Sequence, residues 1–266
     1  MTVHANKEGF NFEIAGPSSA PPIIFCHPLG GSVSVWRDLV GVLSRRYRCI
    51  VFDASGHGNT PSRNLPPLID AMAADIDALM QGIVVDRAHI VGASIGGMAA
   101  QALASAFPQR VDMLVLLATT LKMPEPTMWL ERAEEVREKG LADIAAAAMK
   151  RWFTPSFAAS NPERVQETLR SFLQTDVGSY AIACEAIASM DMTEANAMIS
   201  APTLVMTAAD DVSTLPETAE ILRRSISGAT SIIVPDAAHL MMIERAVEVA
   251  QWIIAFLELP LGRGQG

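Results

Sequence analysis

A serine flanked by glycines is the residue of this sequence best placed to do chemistry. It occurs in Gly92-Ala93-Ser94-Ile95-Gly96, between the apolar run His89-Ile90-Val91 and a helical stretch from Ile95 to Phe107. A G-x-S-x-G pattern between a strand and a helix is typical of a nucleophilic serine on a sharp turn. Ser94 is therefore the predicted nucleophile, and the positive end of the helix dipole would face developing negative charge.

The same glycines have a second interpretation, as a loop that holds a phosphate. A dinucleotide-binding fingerprint requires G-x-G-x-x-G, but Ser94 stands where its second glycine should be. A Walker loop requires G-K-[ST], which does not follow here. Because the motif and its strand–turn–helix setting agree, the nucleophile is the favoured interpretation.

A serine hydroxyl is a weak nucleophile at neutral pH, so Ser94 needs a general base. The expected chain order is serine, then acid, then histidine. His239 is the single histidine that follows Ser94, and it lies just beyond the apolar run from Ser231 to Val234. His239 is therefore the predicted base, against the alternative of a structural histidine.

The carboxylate that orients this base should follow the preceding apolar run, Thr203 to Met206. Asp210 and Asp211 both do so, and the residues alone do not choose between them. Asp236, three residues before the histidine, is a weaker third candidate. The alternative role for the aspartate pair is to cap the helix near Pro216.

Backbone amides should bind the oxyanion of the reaction. The expected donors are Ile95, directly after the serine, and Leu29, in the loop that follows the apolar run Ile23 to Cys26. His27 is predicted to support that loop. His57, in a glycine-rich turn, is predicted to be scaffold, because a base at this position would require the wrong chain order.

Strands and helices alternate along most of the chain, after a first segment from Val3 to Ile14 that is compatible with a short hairpin. Short apolar runs alternating with amphipathic stretches are typical of a mostly parallel sheet covered by helices on both faces. The expected helices besides the one after Ser94 are Trp36 to Ser44, Leu68 to Gln81, Glu217 to Arg224 and Ile243 to Leu257.

One stretch, residues 121–200, interrupts the alternation. It contains no convincing strand and reads as several helices punctuated by prolines. We interpret it as a helical cap inserted into a core domain of residues 1–120 and 201–266, where it would shape an apolar pocket. Simple extra packing is the alternative. The predicted pocket side chains are Trp36, Trp129, Trp152 and Met241.

Composition limits the classes of function. The chain has 266 residues, of which 50% are hydrophobic, and a formal net charge of -9. Nucleic-acid binding needs clustered Lys and Arg, so it is not expected, and no apolar run is long enough for a membrane span. The polar start predicts no secretion signal. Three widely spaced cysteines, Cys26, Cys49 and Cys184, predict buried reduced thiols, no metal site and a cytoplasmic location.

These motifs together resemble the α/β-hydrolase superfamily over nearly the whole chain, and the 3-oxoadipate enol-lactonase group within it. The strings that carry the closer resemblance lie mostly in the predicted cap. They are Met128-Trp129-Leu130-Glu131-Arg132, Arg151-Trp152-Phe153-Thr154-Pro155-Ser156-Phe157, Met190-Asp191-Met192 and, beyond the cap, Asp236-Ala237-Ala238-His239-Leu240. In this resemblance Asp211 falls on the family's acid, with Asp210 on a variable position beside it.

The resemblance has departures that bear on the substrate. Ser55 stands where the family commonly has arginine, and Met241-Met242 replaces a small or polar pair after the histidine. These methionines would make the pocket mouth more apolar. The family's lactone carries a free carboxylate, which calls for a cation. Arg132 and Arg151 are candidates, with solvated surface as the alternative.

The resemblance implies an α/β-hydrolase fold with a cap and hydrolysis of a lactone or carboxylic ester by Ser94, His239 and Asp211. An enol-lactone such as 3-oxoadipate enol-lactone is the expected substrate, without cofactor or metal. The alternatives are a carboxylesterase, a carbon–carbon bond hydrolase, a cofactor-free perhydrolase and a non-catalytic ligand-binding member of the fold. The expected partner is a small molecule. Exposed cap methionines and tryptophans fit either a homo-oligomer interface or a pocket wall.

Overall fold

The computed structural model describes residues 2–5, 9–63 and 65–259, with the backbone alone for residues 2–5. The C-terminal seven residues of the predicted core domain therefore lie outside the described residues. The strands described are β1 Thr2–Ala5, β2 Asn11–Ala15, β3 Pro22–Cys26, β4 Arg48–Phe52, β5 Ala88–Ala93, β6 Val111–Leu117, β7 Thr203–Ala208 and β8 Thr230–Val234.

These strands form one sheet in the order β1-β2-β4-β3-β5-β6-β7-β8. The first strand pairs antiparallel with β2, which confirms the predicted hairpin, and β2 pairs antiparallel with β4. All other neighbours run parallel. The central strands β3, β5, β6 and β7 are almost wholly buried, which explains their continuous apolar runs. The predicted fold, a mostly parallel sheet flanked by helices, is confirmed.

Helices flank this sheet and also form a segment inserted between β6 and β7. They are α1 Arg37–Leu43, α2 Ile69–Gly82, α3 Ile95–Ala106, α4 Pro126–Lys139, α5 Ala142–Trp152, α6 Pro155–Ser160, α7 Pro162–Leu173, α8 Val177–Ser189, α9 Thr193–Asn196, α10 Pro216–Ser225, α11 Met241–Glu244 and α12 Ala246–Leu257. Helix α3 packs against β5 and β6 and is buried over most of its length. The helix predicted from Ile243 is divided, because Arg245 has non-helical dihedrals (φ −127°, ψ 38°).

Six helices, α4 to α9, lie between β6 and β7, and we call residues 121–200 the helical insertion. Prolines begin three of these helices, as expected of a residue that lacks the N–H and has a preset φ. Helix α4 packs along α8. The entering and leaving chains meet at an isolated bridge between Lys122 and Asp191, whose side chains also form an ion pair at 2.6 Å.

Two further sequence expectations concern the cysteines and the membrane. Cys26, Cys49 and Cys184 are all buried and unpaired, as predicted. Within residues 2–5, 9–63 and 65–259, every helix is too short or too polar to cross a bilayer.

Candidate active site

Ser94 lies on the turn that joins β5 to α3. Its backbone has φ +53° and ψ −121°, a strained conformation for a residue with a side chain. The flanking Ala93 and Ile95 are buried, whereas Ser94 is partly exposed. A Cβ on Gly96 would collide with the Cys26 carbonyl, so only glycine allows the helix to approach β3 this closely. The turn therefore presents the serine hydroxyl outward.

Hydrogen bonds hold this strained turn in place. The Ser94 N–H donates to the Leu117 carbonyl at 2.9 Å, and the Thr119 hydroxyl donates to the Ser94 carbonyl at 2.7 Å. Both partners belong to the end of β6 and the residues after it. The serine is thus fixed by the neighbouring strand as well as by its own helix.

His239 and Asp211 meet beyond the ends of β8 and β7. The distance from His239 Nδ1 to Asp211 Oδ2 is 2.8 Å, and both residues are buried, at 4% and 2% exposure. The other carboxylate oxygen, Oδ1, accepts hydrogen bonds from the amides of Ser213 (2.7 Å) and Thr214 (3.0 Å). The carboxylate is therefore locked in orientation toward the imidazole.

The two other candidate acids do not occupy this position. Asp210 and Asp236 are both exposed, and no hydrogen bond joins either side chain to His239. The Asp210 amide donates to the Ala237 carbonyl at 3.0 Å and so helps to join the two loops. The geometry thus brings Asp211, of the three, to His239.

The loop that contains Leu29 faces the N-terminus of α3. Gly31 N–H donates to the Pro28 carbonyl at 2.8 Å, which closes a tight turn with Gly30 at φ +76°. The amides of Leu29 and Ile95 donate no hydrogen bond to any residue in the described ranges. Two unsatisfied donors at this position are what an oxyanion site requires.

Two buried histidines support this loop by accepting hydrogen bonds. His57 Nε2 accepts from the Gly30 amide at 3.1 Å, and His27 Nε2 accepts from the Ala54 amide at 2.9 Å. Burial lowers the pKa of His27 to about 4 and that of His57 to about 3. Both rings are therefore neutral at physiological pH, as an acceptor nitrogen requires, and this matches their predicted structural roles.

A cavity of about 380 Å³ lies over Ser94 and His239. The core contributes Leu29 and Met98 to its wall, and the helical insertion covers it. The wall residues contributed by the insertion that carry large or charged side chains are Met123, Met128, Trp129, Arg132, Arg151, Trp152, Phe172, Tyr180 and Ile187. The site is thus a pocket formed where strand ends meet the insertion.

Two cationic side chains line this cavity from the insertion. The Arg132 guanidinium lies 4.4 Å from the centre of the Trp129 ring, and the buried Trp129 Nε1 has no hydrogen-bond partner. Burial, and then the charge of Arg132, lower the pKa of Arg151. Within the described residues neither arginine forms an ion pair with a carboxylate. The pocket therefore carries uncompensated positive charge, and neither arginine is simply solvated surface.

Two of the predicted pocket residues lie elsewhere. Trp36 is fully buried and packs against the Phe25 ring at a centroid distance of 5.2 Å, so it belongs to the core. Met241 is also fully buried and does not line the cavity. The prediction that Trp36 and Met241 line the pocket is therefore wrong. Both residues are close in sequence to a motif, but each side chain points into the packed interior. Trp129 and Trp152 do line it.

Sequence reasoning missed Phe172, Tyr180 and Glu244. The first two form an aromatic layer with Trp152, with centroid distances of 5.4 Å for both contacts. Glu244 accepts hydrogen bonds from the segment before His239. An acid five residues after the predicted base was the available signal. Among the described residues, no group of three or more His, Cys, Asp or Glu is arranged to hold a metal ion.

Comparisons with known proteins agree with this geometry. Residues 21–246 match the family model described as the alpha/beta hydrolase fold. The 3-oxoadipate enol-lactonase 2 of Acinetobacter baylyi is 33% identical over 92% of this chain and 91% of its own length. The 3-oxoadipate enol-lactonase 1 of the same organism is 32% identical over 95% of each chain.

A solved structure gives the same result. The crystal structure of the enol-lactonase from Burkholderia xenovorans LB400 matches with a TM-score of 0.91 and 30% identity, over 96% of this chain and 99% of that one. The predicted resemblance to 3-oxoadipate enol-lactonases is thereby confirmed. Because the family model and these relatives span most of the sequence, the chain is a hydrolase enzyme that belongs to the α/β-hydrolase fold family.

Proposed function

We propose that this protein hydrolyses a lactone or carboxylic ester through an acyl-enzyme on Ser94, with His239 as base and Asp211 as its orienting acid. One observation carries the proposal: the 2.8 Å contact between His239 Nδ1 and the amide-locked Asp211 carboxylate opens onto the same cavity as the strained Ser94. A ligand-binding role alone needs no such arrangement of three groups.

In the first half-reaction the neutral His239 takes the proton of the Ser94 hydroxyl as its oxygen attacks the carbonyl carbon. Asp211 accepts the Nδ1 hydrogen bond, which leaves Nε2 free as the base and stabilises the imidazolium. The amides of Leu29 and Ile95 donate to the oxyanion, and each such donor contributes about 10²–10³-fold in rate. When the carbon–oxygen bond breaks, His239 returns the proton to the leaving oxygen.

In the second half-reaction water attacks the acyl-enzyme. His239 removes a proton from the water, the same two amides hold the new oxyanion, and the proton passes to the Ser94 oxygen as the acid leaves. In a lactone the leaving oxygen and the acyl group belong to one molecule, so a single product departs. We propose that the helical insertion acts as a cap that keeps bulk water from the pocket.

We further propose that the substrate carries a carboxylate, as 3-oxoadipate enol-lactone does. Arg132 and Arg151 are cationic donors on the wall that the insertion contributes, and a carboxylate there would meet their unpaired charge. Hydrogen bonds to charged groups contribute about 1.5–3 kcal/mol each. Enol-lactonase relatives at 32–33% identity support the same substrate. The buried, unpaired cysteines fit the cytoplasmic location that we propose.

The test is to add purified protein to 3-oxoadipate enol-lactone and follow the loss of its ultraviolet absorbance, with Ser94→Ala run alongside. We expect rapid loss with the wild type and a kcat about 10⁶-fold lower with the variant. A lactone left intact, beside an activated aryl ester that is cleaved only when Ser94 is present, would reject this substrate and favour a carboxylesterase. Cleavage of both by Ser94→Ala would reject the nucleophile.

A further inference from the structure

The residue after the proposed base is bound to the helical insertion. The Leu240 amide donates to the Trp152 carbonyl at 3.1 Å. The Trp152 ring lies over the His239 imidazole, with a centroid distance of 6.3 Å and an interplanar angle of 26°. The insertion therefore touches both the ring of His239 and the backbone that follows it.

The residue before the base is bound to the insertion through Glu244. Glu244 Oε1 accepts from the Ala238 amide at 3.0 Å, and Oε2 accepts from the Thr154 hydroxyl at 2.6 Å. The Thr154 amide also points at this carboxylate, at 3.2 Å from Oε1. Thr154 is buried and caps α6, with its hydroxyl oxygen accepting from the Phe157 amide. Glu244 thus joins the histidine loop to a fixed point of the insertion.

Together these contacts bracket His239 on both sides. Without them, a base on a loop beyond an edge strand would keep only the Asp211 contact to hold its ring. Displacement of a reacting group by about 1 Å can cost about 10²-fold in rate. We infer that Glu244 is a positioning residue. Its hydrogen bonds to Ala238 and Thr154, which we call the clasp, join the loop of His239 to the insertion and so fix the position of the proposed base. This inference rests on the proposed role of His239.

The clasp needs a hydrogen-bond acceptor for the Ala238 amide and a hydrogen-bond partner for the Thr154 hydroxyl. A glutamine can present its carbonyl oxygen to the Ala238 amide and its NH₂ to the Thr154 hydroxyl, which can accept as well as donate. An alanine offers neither. Glu248, four residues on, is also half-buried but pairs with Arg245 at 2.8 Å, so Glu248→Ala removes the same charge without touching the clasp.

The experiment measures kcat and KM for a neutral aryl acetate, with the melting temperature, for wild type, Glu244→Ala, Glu244→Gln and Glu248→Ala. We expect Glu244→Ala to lower kcat about 10–100-fold with KM within about threefold, because the base and not the pocket is disturbed. Glu244→Gln should restore kcat to within about fivefold of wild type. Glu248→Ala should match wild type.

Thr154→Val provides a second route if Glu244→Ala does not fold. It removes the hydroxyl that joins Glu244 to the insertion and should lower kcat in the same direction by a smaller factor. Folded Glu244→Ala with wild-type kcat, or a loss that follows only the unfolded fraction, would overturn the positioning role while leaving the proposed function intact. A wild type whose aryl acetate hydrolysis does not depend on Ser94 would instead overturn the proposed function, and this inference with it.

Discussion

The sheet edge and the helical insertion contribute different side chains to one pocket. The sheet edge here is the set of carboxyl ends of β5, β7 and β8 together with the residues that follow them. The edge supplies Ser94, His239 and Asp211, each just beyond a parallel strand and each held by hydrogen bonds of the local backbone or carboxylate. None of the proposed reacting groups lies in the insertion. It contributes aromatic rings and two arginines, placed by side-chain packing such as the contact of Trp152 with Phe172.

This difference suggests that the sheet edge carries out the reaction and that the insertion selects the substrate. The groups proposed to act on the bond that breaks lie at the sheet edge, so changes there should lower the rate for every substrate. The arginines lie on the wall that the insertion contributes, so changes there should matter only when the substrate has a charge for them to bind. Phe172 lies directly against Gly30, which links the two regions at the loop proposed to hold the oxyanion.

The largest effect should follow a change at the sheet edge. Asp211→Asn removes the carboxylate that accepts the hydrogen bond from His239 Nδ1, so the imidazole loses its tautomer and its charge stabilisation. We expect kcat to fall about 10⁴-fold for the enol-lactone and for a neutral aryl ester alike, measured by steady-state kinetics at pH 7.

Asp210→Asn is the matched control, because its side chain is exposed and makes no contact with His239. It should retain wild-type kcat for both substrates. If the two variants showed equal losses, or if Asp211→Asn spared the ester, the sheet edge would not act uniformly on substrates and the proposed acid would be wrong.

A smaller and selective effect should follow changes in the insertion. Arg132→Met and Arg151→Met each remove a cation from the pocket while keeping an apolar stem. Because each hydrogen bond to a charged group contributes about 1.5–3 kcal/mol, kcat/KM for the carboxylate-bearing lactone should fall about 10–100-fold. The value for a neutral aryl acetate should stay within about threefold of wild type.

Arg137→Met controls for the loss of charge on the same helix, since Arg137 is exposed and pairs with Glu185 at 2.7 Å. It should leave both substrates unaffected. Equal losses on the charged and the neutral substrate with Arg132→Met would show that the arginines support the cap instead of selecting the substrate.

The candidate site residues of the sheet edge could be predicted from the sequence because their positions follow from where the parallel strands end. Parallel strands end at one edge, so the residues that follow Val91, Met206 and Val234 are expected at that edge once those runs are assigned as strands. The residues alone left Asp210 and Asp211 as equal candidates for the acid that orients His239. The resemblance to enol-lactonases favoured Asp211, and the loop geometry, with Asp211 buried and Asp210 exposed, agrees with that choice.

The pocket residues of the insertion were harder to predict because their positions depend on contacts between residues that are distant in sequence. Trp152, Phe172 and Tyr180 come from three helices and meet by packing, which no local period encodes. Trp36 and Met241 were misplaced for a related reason. An apolar side chain beside a motif fits the core as well as it fits a pocket, and burial in the core decided both.

The smallest effect concerns the neutral histidines beneath the sheet edge. Burial lowers the pKa of His57 to about 3, whereas a histidine in the unfolded chain has a pKa of about 6.5. Between these values the unfolded state binds a proton that the folded state does not. Stability is therefore lost as the pH falls below about 6.5, by about 2 kcal/mol for one such histidine between pH 7 and pH 5.

His57→Gln tests this directly, because glutamine offers the Gly30 amide an acceptor but does not titrate. Between pH 7 and pH 5 the melting temperature of the wild type should fall by roughly 4–6 °C more than that of the variant. Asp75, whose pKa burial raises to about 6, has the opposite sign, since its folded form retains a proton that the unfolded chain releases. It is present in both proteins and cancels in the difference. Parallel acid losses in the two proteins would mean that His57 is not held neutral, and that the loop above it depends on a charged ring.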